Sequence, residues 1–189
     1  MAIANKYLKS WSAFIDGKGF AGNCKEVVLP TLTLKTEDFQ AGGMDAPVAI
    51  EMGQEKLEAS VTLTSYDATA LAQWGLGEGY EVPFVVKGAL ESFNGEVEAI
   101  NVSMRGKVTS IEMSAWTPSA ESTLKVTLNL HSYRYEQNGS VIYDIDVVNM
   151  VRIINGVDRL AARREAIGGS GSVIGGRLNA RGILNALGF

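Results

Sequence analysis

Two side chains in this sequence, Cys24 and His131, have the chemistry of a nucleophile and its base. They are the only cysteine and the only histidine among the 189 residues. No third residue stands in the spacing that would orient such a pair, and no nucleophile-elbow motif is present. The pattern favours a small apolar Cys24 and a His131 on the polar face of a strand. One cysteine also excludes an intrachain disulfide.

Asp144 and Asp146 in YDIDVVNM lie two residues apart, on one face of a predicted strand. Paired carboxylates can divide the roles of acid and base, but alternation puts these two on the solvent side, where we expect a surface or interface role. The glycines of GGSGSVIGG (168–176) follow no predicted strand, so a phosphate-binding loop is not supported. We therefore expect no enzymatic activity, no metal and no cofactor.

The composition is that of one globular domain, with 46% hydrophobic and 20% charged residues. A net charge of −4 argues against general binding of nucleic acid by charge attraction. Arginines concentrate in residues 151–189, so the body is acidic and the C-terminal segment basic. No apolar run resembles a signal peptide or a membrane span, and we expect neither.

Alternation of apolar and polar residues dominates the chain. It predicts half-buried strands at 57–64 and 124–131, and a shift of phase near His131 and Ser132. The pairs Asn94-Gly95 and Asn138-Gly139 favour type I′ hairpin turns, in which both central residues have positive φ. Further strands are predicted at 11–16, 25–29, 31–39, 48–52, 81–90, 97–105, 107–114 and 141–148.

Two short helices are predicted, at 67–74 with Asp67 as N-cap and at 158–167. Both are too short to be stable alone and must pack on the sheet. The predicted fold class is mainly β, a barrel or sandwich with one or two short helices. Residues 1–168 form the β-domain, and 169–189 form a Gly-rich linker with a basic, amphipathic extension.

The segment QAGGMDAP joins two strand-like runs and contains no His, Cys or Ser nucleophile. Its small residues permit close approach of another chain, and a methionine adapts to irregular surfaces. Exposed strand edges pair with other chains, and head-to-tail pairing closes into rings. We therefore predict that this loop contacts another copy of the protein, through Gln40, Ala41, Gly42, Gly43, Met44, Asp45, Ala46 and Pro47.

Two long motifs, residues 29–53 (LPTLTLKTEDFQAGGMDAPVAIEMG) and 143–168 (YDIDVVNMVRIINGVDRLAARREAIG), carry a family resemblance. Together with FIDGKGFAG (14–22) and Met-Arg-Gly at 104–106, they resemble the major tail tube protein of contractile-tailed bacteriophages. The tube proteins of R-type bacteriocins are similar. The resemblance runs in order from about residue 10 to residue 168.

The resemblance implies a hexameric ring with a continuous inner β-barrel, stacked into a tube inside a contractile sheath. The implied partners are further copies of the chain, the tail sheath protein, and the baseplate and tail terminator proteins. DNA would pass through the lumen without specific binding, and the loop at 40–47 would contact a neighbouring ring. The implied location is the virion tail tube, assembled in the host cytoplasm without a membrane anchor.

A conduit for DNA should avoid a basic wall, because lysines and arginines that replace condensed counterions would hold the duplex. We therefore expect an acidic lumen. The alternative orientation, towards the outside or a subunit contact, stays open. The candidates for the lumen face are Glu51, Glu58, Ser60, Thr62 and Thr64.

The chain continues about twenty residues past the end of the resembling pattern. Either this extension is a tail without fixed structure, or it docks on a neighbouring ring or the sheath, with its arginines steering the contact. The candidate contact residues are Arg177, Leu178, Ile183, Leu184, Leu187 and Phe189.

Two alternative functions remain. The tube of a genome-free bacteriocin, or of a related injection device such as a type VI secretion tube, would use the same subunit. From another class, a small-ligand-binding β-barrel would place Trp74, Trp116 and several tyrosines around a pocket.

Overall fold

The computed structural model describes residues 5–169. These residues form twelve strands and two helices. In chain order the elements are β1 (Lys6–Ile15), β2 (Lys18–Gly19), β3 (Cys24–Val28), β4 (Leu34–Phe39), β5 (Val48–Gln54), β6 (Leu57–Leu63), α1 (Ala68–Leu71), β7 (Val82–Ser92), β8 (Val97–Met113), β9 (Leu124–Gln137), β10 (Ser140–Asp146), β11 (Val151–Ile154), β12 (Val157–Asp158) and α2 (Ala161–Ala166).

The chain divides into two compact units, and β8 and β9 contribute residues to both. The terminal unit comprises the described parts of Met1–Gly22, Glu81–Gly106 and His131–Phe189. Its strands follow the hydrogen-bonded order β12-β11-β10-β9-β8-β7-β1-β2. The central unit comprises Asn23–Tyr80 and Lys107–Leu130. In it β6 lies between β3 and β9, while β4 and β5 form a separate two-stranded sheet.

The alternation predicted at 57–64 is confirmed in β6. Leu57, Ala59, Val61 and Leu63 are buried, whereas Glu58 is exposed and Ser60 and Thr62 are half-buried. Successive side chains of a strand point to opposite faces, so one face of β6 builds the core and the other is polar. β9 repeats this pattern from Leu124 to Leu130.

The phase of β9 shifts where the sequence predicted it. The buried positions are even-numbered up to Leu130, and the next buried residue is Tyr133. Tyr133 is paired with Ile145 of β10, which is buried as well. The shift keeps the strand amphipathic on both sides of His131 and Ser132.

The Asn138-Gly139 turn has positive φ at both residues, at 49° and 79°, as a type I′ hairpin requires. The same prediction is wrong for Asn94-Gly95, where Gly95 alone has positive φ. That connection is longer: the Ser92 N–H donates to the Glu96 carbonyl, and the Gly95 N–H to the Ser92 carbonyl. A three-residue loop of this kind, residues 93–95, needs one left-handed residue instead of two.

Two strand predictions merge into one element, because β8 runs unbroken through Gly106, which is buried within it. The predicted helices are shorter than expected. α1 keeps Asp67 as its N-cap, with Asp67 Oδ1 accepting from the Thr69 N–H at 2.8 Å. α2 begins only at Ala161, because Val157 and Asp158 pair with β11 as strand β12. Neither helix is long and apolar enough to cross a membrane, and no other helix occurs in residues 5–169.

Candidate assembly interface

The β4–β5 hairpin presents an apolar surface that the described part of the chain leaves exposed. Register places Phe39 opposite Val48 and Glu37 opposite Ile50, on one face of the hairpin. Phe39, Val48 and Ile50 are 53%, 54% and 46% exposed. Large apolar side chains clustered on an exposed surface mark sites of interaction.

The opposite face of the hairpin is polar or small. Asp38 is paired with Ala49, and Thr36 with Glu51. One face of the hairpin is therefore apolar and the other is polar or small, as in a sheet that has one buried face. Among the described residues, neither face of the hairpin is completely buried. A two-stranded hairpin is marginal in water on its own, so a further strand or surface should cover its apolar face.

A bulge lies at the base of the hairpin. The register shifts between Lys35 and Thr36, because Lys35 is paired with Gly53 and Thr36 with Glu51. Met52 is therefore the extra residue, and it is exposed. Gly53 has a φ of 125°, a backbone conformation that other residues rarely adopt. The bulge locally twists the strand that carries Val48 and Ile50.

The predicted contact loop, residues 40–47, is the tip of this hairpin. Met44 folds back on the tip: its N–H donates to the Ala41 carbonyl at 3.1 Å, and its Sδ accepts from the Ala41 N–H at 3.3 Å. The Gln40 side chain donates to the Met44 carbonyl at 3.1 Å. Met44 is consequently half-buried within its own loop, whereas the other residues of the tip are exposed.

The predicted lumen residues do not all share one sheet. Glu58, Ser60 and Thr62 occupy the polar face of β6, and Thr64 follows just beyond the strand, with its N–H and hydroxyl on the Asn23 carbonyl. Glu51 lies on the separate hairpin sheet. The neighbours of the β6 residues on β9 are also polar: Asn129, Thr127 and Lys125 lie opposite Glu58, Ser60 and Thr62 respectively.

The charge on this polar face is balanced, which differs from a simply acidic wall. Lys56 Nζ lies 2.7 Å from Glu58 Oε2, so the one carboxylate on the face of β6 has a cation beside it. Lys125 lies opposite Thr62 and adds a second positive charge. Which way this face points in an assembly stays a prediction.

Cys24 and His131, the two residues with the chemistry of a nucleophile and its base, make contacts that are typical of structural roles. Burial raises the pKa of the Cys24 thiol to about 11, and its S–H lies 3.7 Å from the Glu26 carbonyl. His131 Nδ1 lies 3.2 Å from Glu81 Oε1 on the surface. A thiol with a raised pKa is a poor nucleophile near neutral pH.

The two aspartates of β10 also have separate structural roles. Asp144 accepts from Arg134 at 3.2 Å, and burial raises its pKa against the effect of that arginine. Asp146 accepts from the backbone and side-chain N–H groups of Asn149, so it caps the turn before β11. Within residues 5–169, no group of three or more His, Cys, Asp or Glu is arranged to hold a metal ion.

The aromatic pocket of the ligand-binding alternative is an open depression of about 380 Å³ in the central unit. The Trp116 side chain, at its rim, is 84% exposed and lies tilted over Tyr66. Trp74 lies elsewhere on the unit, beside β8, where its Nε1 donates to the Thr109 carbonyl at 3.4 Å. A shallow site of this kind does not enclose a ligand as a binding pocket does.

Sequence reasoning selected the tip of the hairpin and missed the apolar face of its strands. The signal was present, because Val48, Ile50 and Met52 alternate with small or polar residues just after the tip. The predicted C-terminal contact residues, from Arg177 to Phe189, lie outside the described residues. The division at residue 168 likewise stays a prediction.

Two curated proteins of similar sequence are both tail tube proteins of bacteriophages. The tail tube protein of Escherichia phage P2 is 30% identical over 172 residues, covering 89% of this chain and 99% of the relative. The major tail tube protein of Serratia phage KSP20 is 28% identical over 154 residues, covering 80% and 88%.

Among solved structures, a chain of the PVC extracellular contractile injection system, in its extended sheath-tube complex, has the same fold. The TM-score is 0.53 at 10% identity, over 70% of this chain and 91% of that chain. A chain of the PVC sheath/tube terminator complex also has a TM-score of 0.53, at 8% identity, over 69% and 95%. The family model for phage tail tube protein FII matches residues 5–168. With that match over most of its length, the chain belongs to the phage tail tube protein FII family.

Proposed function

We propose that this protein forms hexameric rings and that the rings stack into the inner tube of a contractile phage tail. The observation that carries the proposal is the apolar face of the β4–β5 hairpin. Its three large side chains are about half exposed in the single chain. Membership of the tail tube family supports a second copy as the molecule that covers them.

The energy available from this face is modest for one contact and large for a tube. Burying the remaining exposed half of Phe39, Val48 or Ile50 is worth roughly 1 kcal/mol each. A contact of this strength is weak alone, since association carries its own entropic cost. When each subunit makes it with neighbours on both sides, the contacts of a ring and of stacked rings act together.

The proposed tube conducts DNA without holding it. A wall of serine, threonine and balanced charge releases few counterions from the duplex, so it gives little attraction. Ser60, Thr62 and Glu58 with its neighbour Lys56 would supply such a wall from β6. Thr64, just beyond β6, would belong to the same wall. Glu51, on strand β5 of the hairpin, would lie near that wall.

The proposed partners are further copies of the chain, the sheath outside the tube, and the baseplate and terminator at its ends. The C-terminal extension, through the residues from Arg177 to Phe189, would dock on a neighbouring ring or the sheath. The role is structural and not enzymatic. The location is the tail of the virion, after assembly in the host cytoplasm.

A second candidate is the tube of a device that carries no genome. The fold shared with a chain of the PVC injection system favours it, because the same subunit architecture occurs there. The two candidates differ in what passes through the lumen. Particles purified from the producing cell contain DNA in the first case and none in the second.

Electron microscopy of the purified protein over a range of concentrations tests the proposal. We expect rings with sixfold symmetry at low concentration and hollow tubes at high concentration. Monomers that stay compact, even with preformed tube ends as nuclei, would contradict it. Tight binding of a small aromatic ligand near Trp116 by such monomers would favour the pocket alternative.

A further inference from the structure

Within residues 5–169, the outer edge of β1 has no neighbouring strand over most of its length. On one side β7 pairs with β1 from Lys6 to Ile15. On the other side β2 pairs only with Phe14 and Ile15. Among the described residues, the backbone of residues 6–12 therefore has an open edge. Such an edge presents N–H and C=O groups that are ready to pair with another chain.

The side chains at this edge are partly apolar. Leu8 is 53% exposed and lies over Gly88 of β7, where an added Cβ would come within 2.8 Å of the Leu8 side chain. Gly88 is paired with Trp11, so Leu8 and Trp11 lie on the same face of the sheet. An exposed apolar side chain, that of Leu8, therefore lies beside the open edge of β1.

The lysines of β1 do not guard the edge. Exposed strand edges are commonly protected by lysine side chains that stand in the path of an incoming strand. Here Lys9 Nζ lies 2.8 Å from Glu91 Oε1 of β7, and Lys6 is ion-paired with Glu98 of β8. Both cations are drawn back over their own sheet, away from the open side. A bulge at Lys9 divides the pairing of β1 with β7, on the other side of the strand, into two ladders.

We propose that the open edge of β1 receives the β4–β5 hairpin of a second copy as an added pair of strands. The inference rests on the proposed self-assembly and names the surfaces that carry it. The hairpin forms a sheet of only two strands, and a third strand is the usual requirement for stability. Docked on β1, the hairpin extends the sheet of the terminal unit.

The side chains of the two surfaces are complementary. Phe39, Val48 and Ile50 on the hairpin face match the apolar side of the edge, where Leu8 is exposed. Charge adds little to this match, because the two lysines of β1 are already paired with Glu98 and Glu91 of their own sheet.

The donor and acceptor surfaces are different parts of the chain, so the contact is heterologous. Each copy donates its hairpin to one neighbour and receives a hairpin from another. A contact of this kind repeats without a dead end, which a ring or a stacked tube requires. A two-fold dimer, which uses the same patch on both copies, would not fit this arrangement.

Hydrogen exchange measured on monomers and on assembled tubes tests the edge directly. We expect alternate amides of residues 6–12 to exchange at least about tenfold more slowly in the tube, because they enter a strand ladder. Amides of the exposed turn around Gly156 serve as an internal control and should not change. Equal exchange of residues 6–12 in both states would overturn the inference while leaving tube formation intact.

Cysteine cross-linking identifies the partner of the edge. In a Cys24→Ser background, Leu8→Cys is combined in turn with Phe39→Cys, Val48→Cys and Ile50→Cys, since bridged Cα atoms must lie within about 7 Å. At least one pair should give about tenfold more intermolecular disulfide than Phe93→Cys combined with the same hairpin variants.

The other outcomes have defined meanings. Cross-links from the hairpin to Trp116→Cys, with none to Leu8→Cys, would overturn the inference and assign the aromatic depression as the acceptor. Failure of the unmodified protein to form any assembly, even on preformed tube ends, would overturn the proposed function, and the inference with it.

Discussion

Arg164 of α2 forms an ion pair with Asp158 of β12, with Nη2 at 2.8 Å from Oδ2. Its Nη1 donates to the Met150 carbonyl at 2.9 Å. α2 has six residues and buries none of them. A helix of this length is not stable by itself. The contacts of Arg164 therefore connect α2 to β12 and to the turn before β11.

Replacing Arg164 with alanine should destabilise the protein. The change leaves Asp158 largely buried without its guanidinium partner, and a loss of about 1–3 kcal/mol is expected. Arg163→Ala is the matched control, because Arg163 is exposed on the same turn and should change stability by less than about 0.5 kcal/mol. Urea unfolding of the monomer measures both. An equal loss of stability in Arg164→Ala and Arg163→Ala would show that the contacts of Arg164 contribute nothing specific.

Asp158 should make stability depend on acid. Burial alone would raise its pKa, but the Leu160 and Arg152 N–H groups and the Arg164 guanidinium together hold it below the ordinary value. A carboxyl with a lowered pKa in the fold stabilises it above about pH 4, and this contribution is lost as pH falls further. We expect Asp158→Asn to flatten the acid limb of the stability curve. Parallel limbs for the two proteins would refute this.

An aspartate at Ile50 should prevent assembly without unfolding the subunit. The side chain is already half exposed, so the monomer should lose less than about 1 kcal/mol, whereas a charge buried in an interface costs several. Ala49→Asp is the control on the opposite, polar face of the hairpin. Sedimentation velocity and electron microscopy should show monomers for the first variant and tubes for the second. Tubes from both variants would exclude the apolar face as an interface.

Replacing Glu58 with lysine should slow the passage of DNA. The change places one lysine on β6, which is proposed to line the lumen, beside Lys56 just before the strand. Each cation that contacts phosphate strengthens binding at low salt. Ejection should slow severalfold at low salt and recover as salt rises. Glu165→Lys on the exposed surface of α2 gives the same net charge and should eject normally. Identical kinetics in the two variants would remove β6 from the wall.

The N-cap of α1 should have a measurable effect. Asp67 Oδ1 accepts from the N–H groups of Thr69 and Ala70, and its replacement by alanine should cost about 1 kcal/mol. Asp67→Ser keeps an acceptor and should retain most of the stability. Thermal unfolding of the three proteins measures the difference. If Asp67→Ala and Asp67→Ser were equally stable, Asp67 would not stabilise the protein by capping α1.

The local patterns predicted the mainly β fold because burial follows a simple period in strands. Leu57 to Leu63 and Leu124 to Leu130 alternate so regularly that one face had to be core. Asn138-Gly139 was equally predictable, since few residue pairs adopt two positive φ angles. Asp67 was readable as a cap because its chemistry is local.

Features that depend on distant neighbours were not predictable in this way. Gly106 reads as a break between strands, yet pairing with Val82 of β7 keeps β8 continuous through it. Asp158 reads as a helix start, but pairing with Ile153 draws it into a strand. The open edge of β1 likewise depends on where the other strands of residues 5–169 lie.

The raised pKa of Cys24 has a consequence for chemical durability. With a pKa of about 11, the thiol stays almost wholly protonated at pH 7, whereas the thiolate is the nucleophile that attacks peroxides and disulfides. A particle built from many identical subunits repeats every vulnerable atom as many times as it has copies. A thiol that stays protonated makes each subunit less reactive towards oxidants, and in the proposed tube this protection is repeated in every copy.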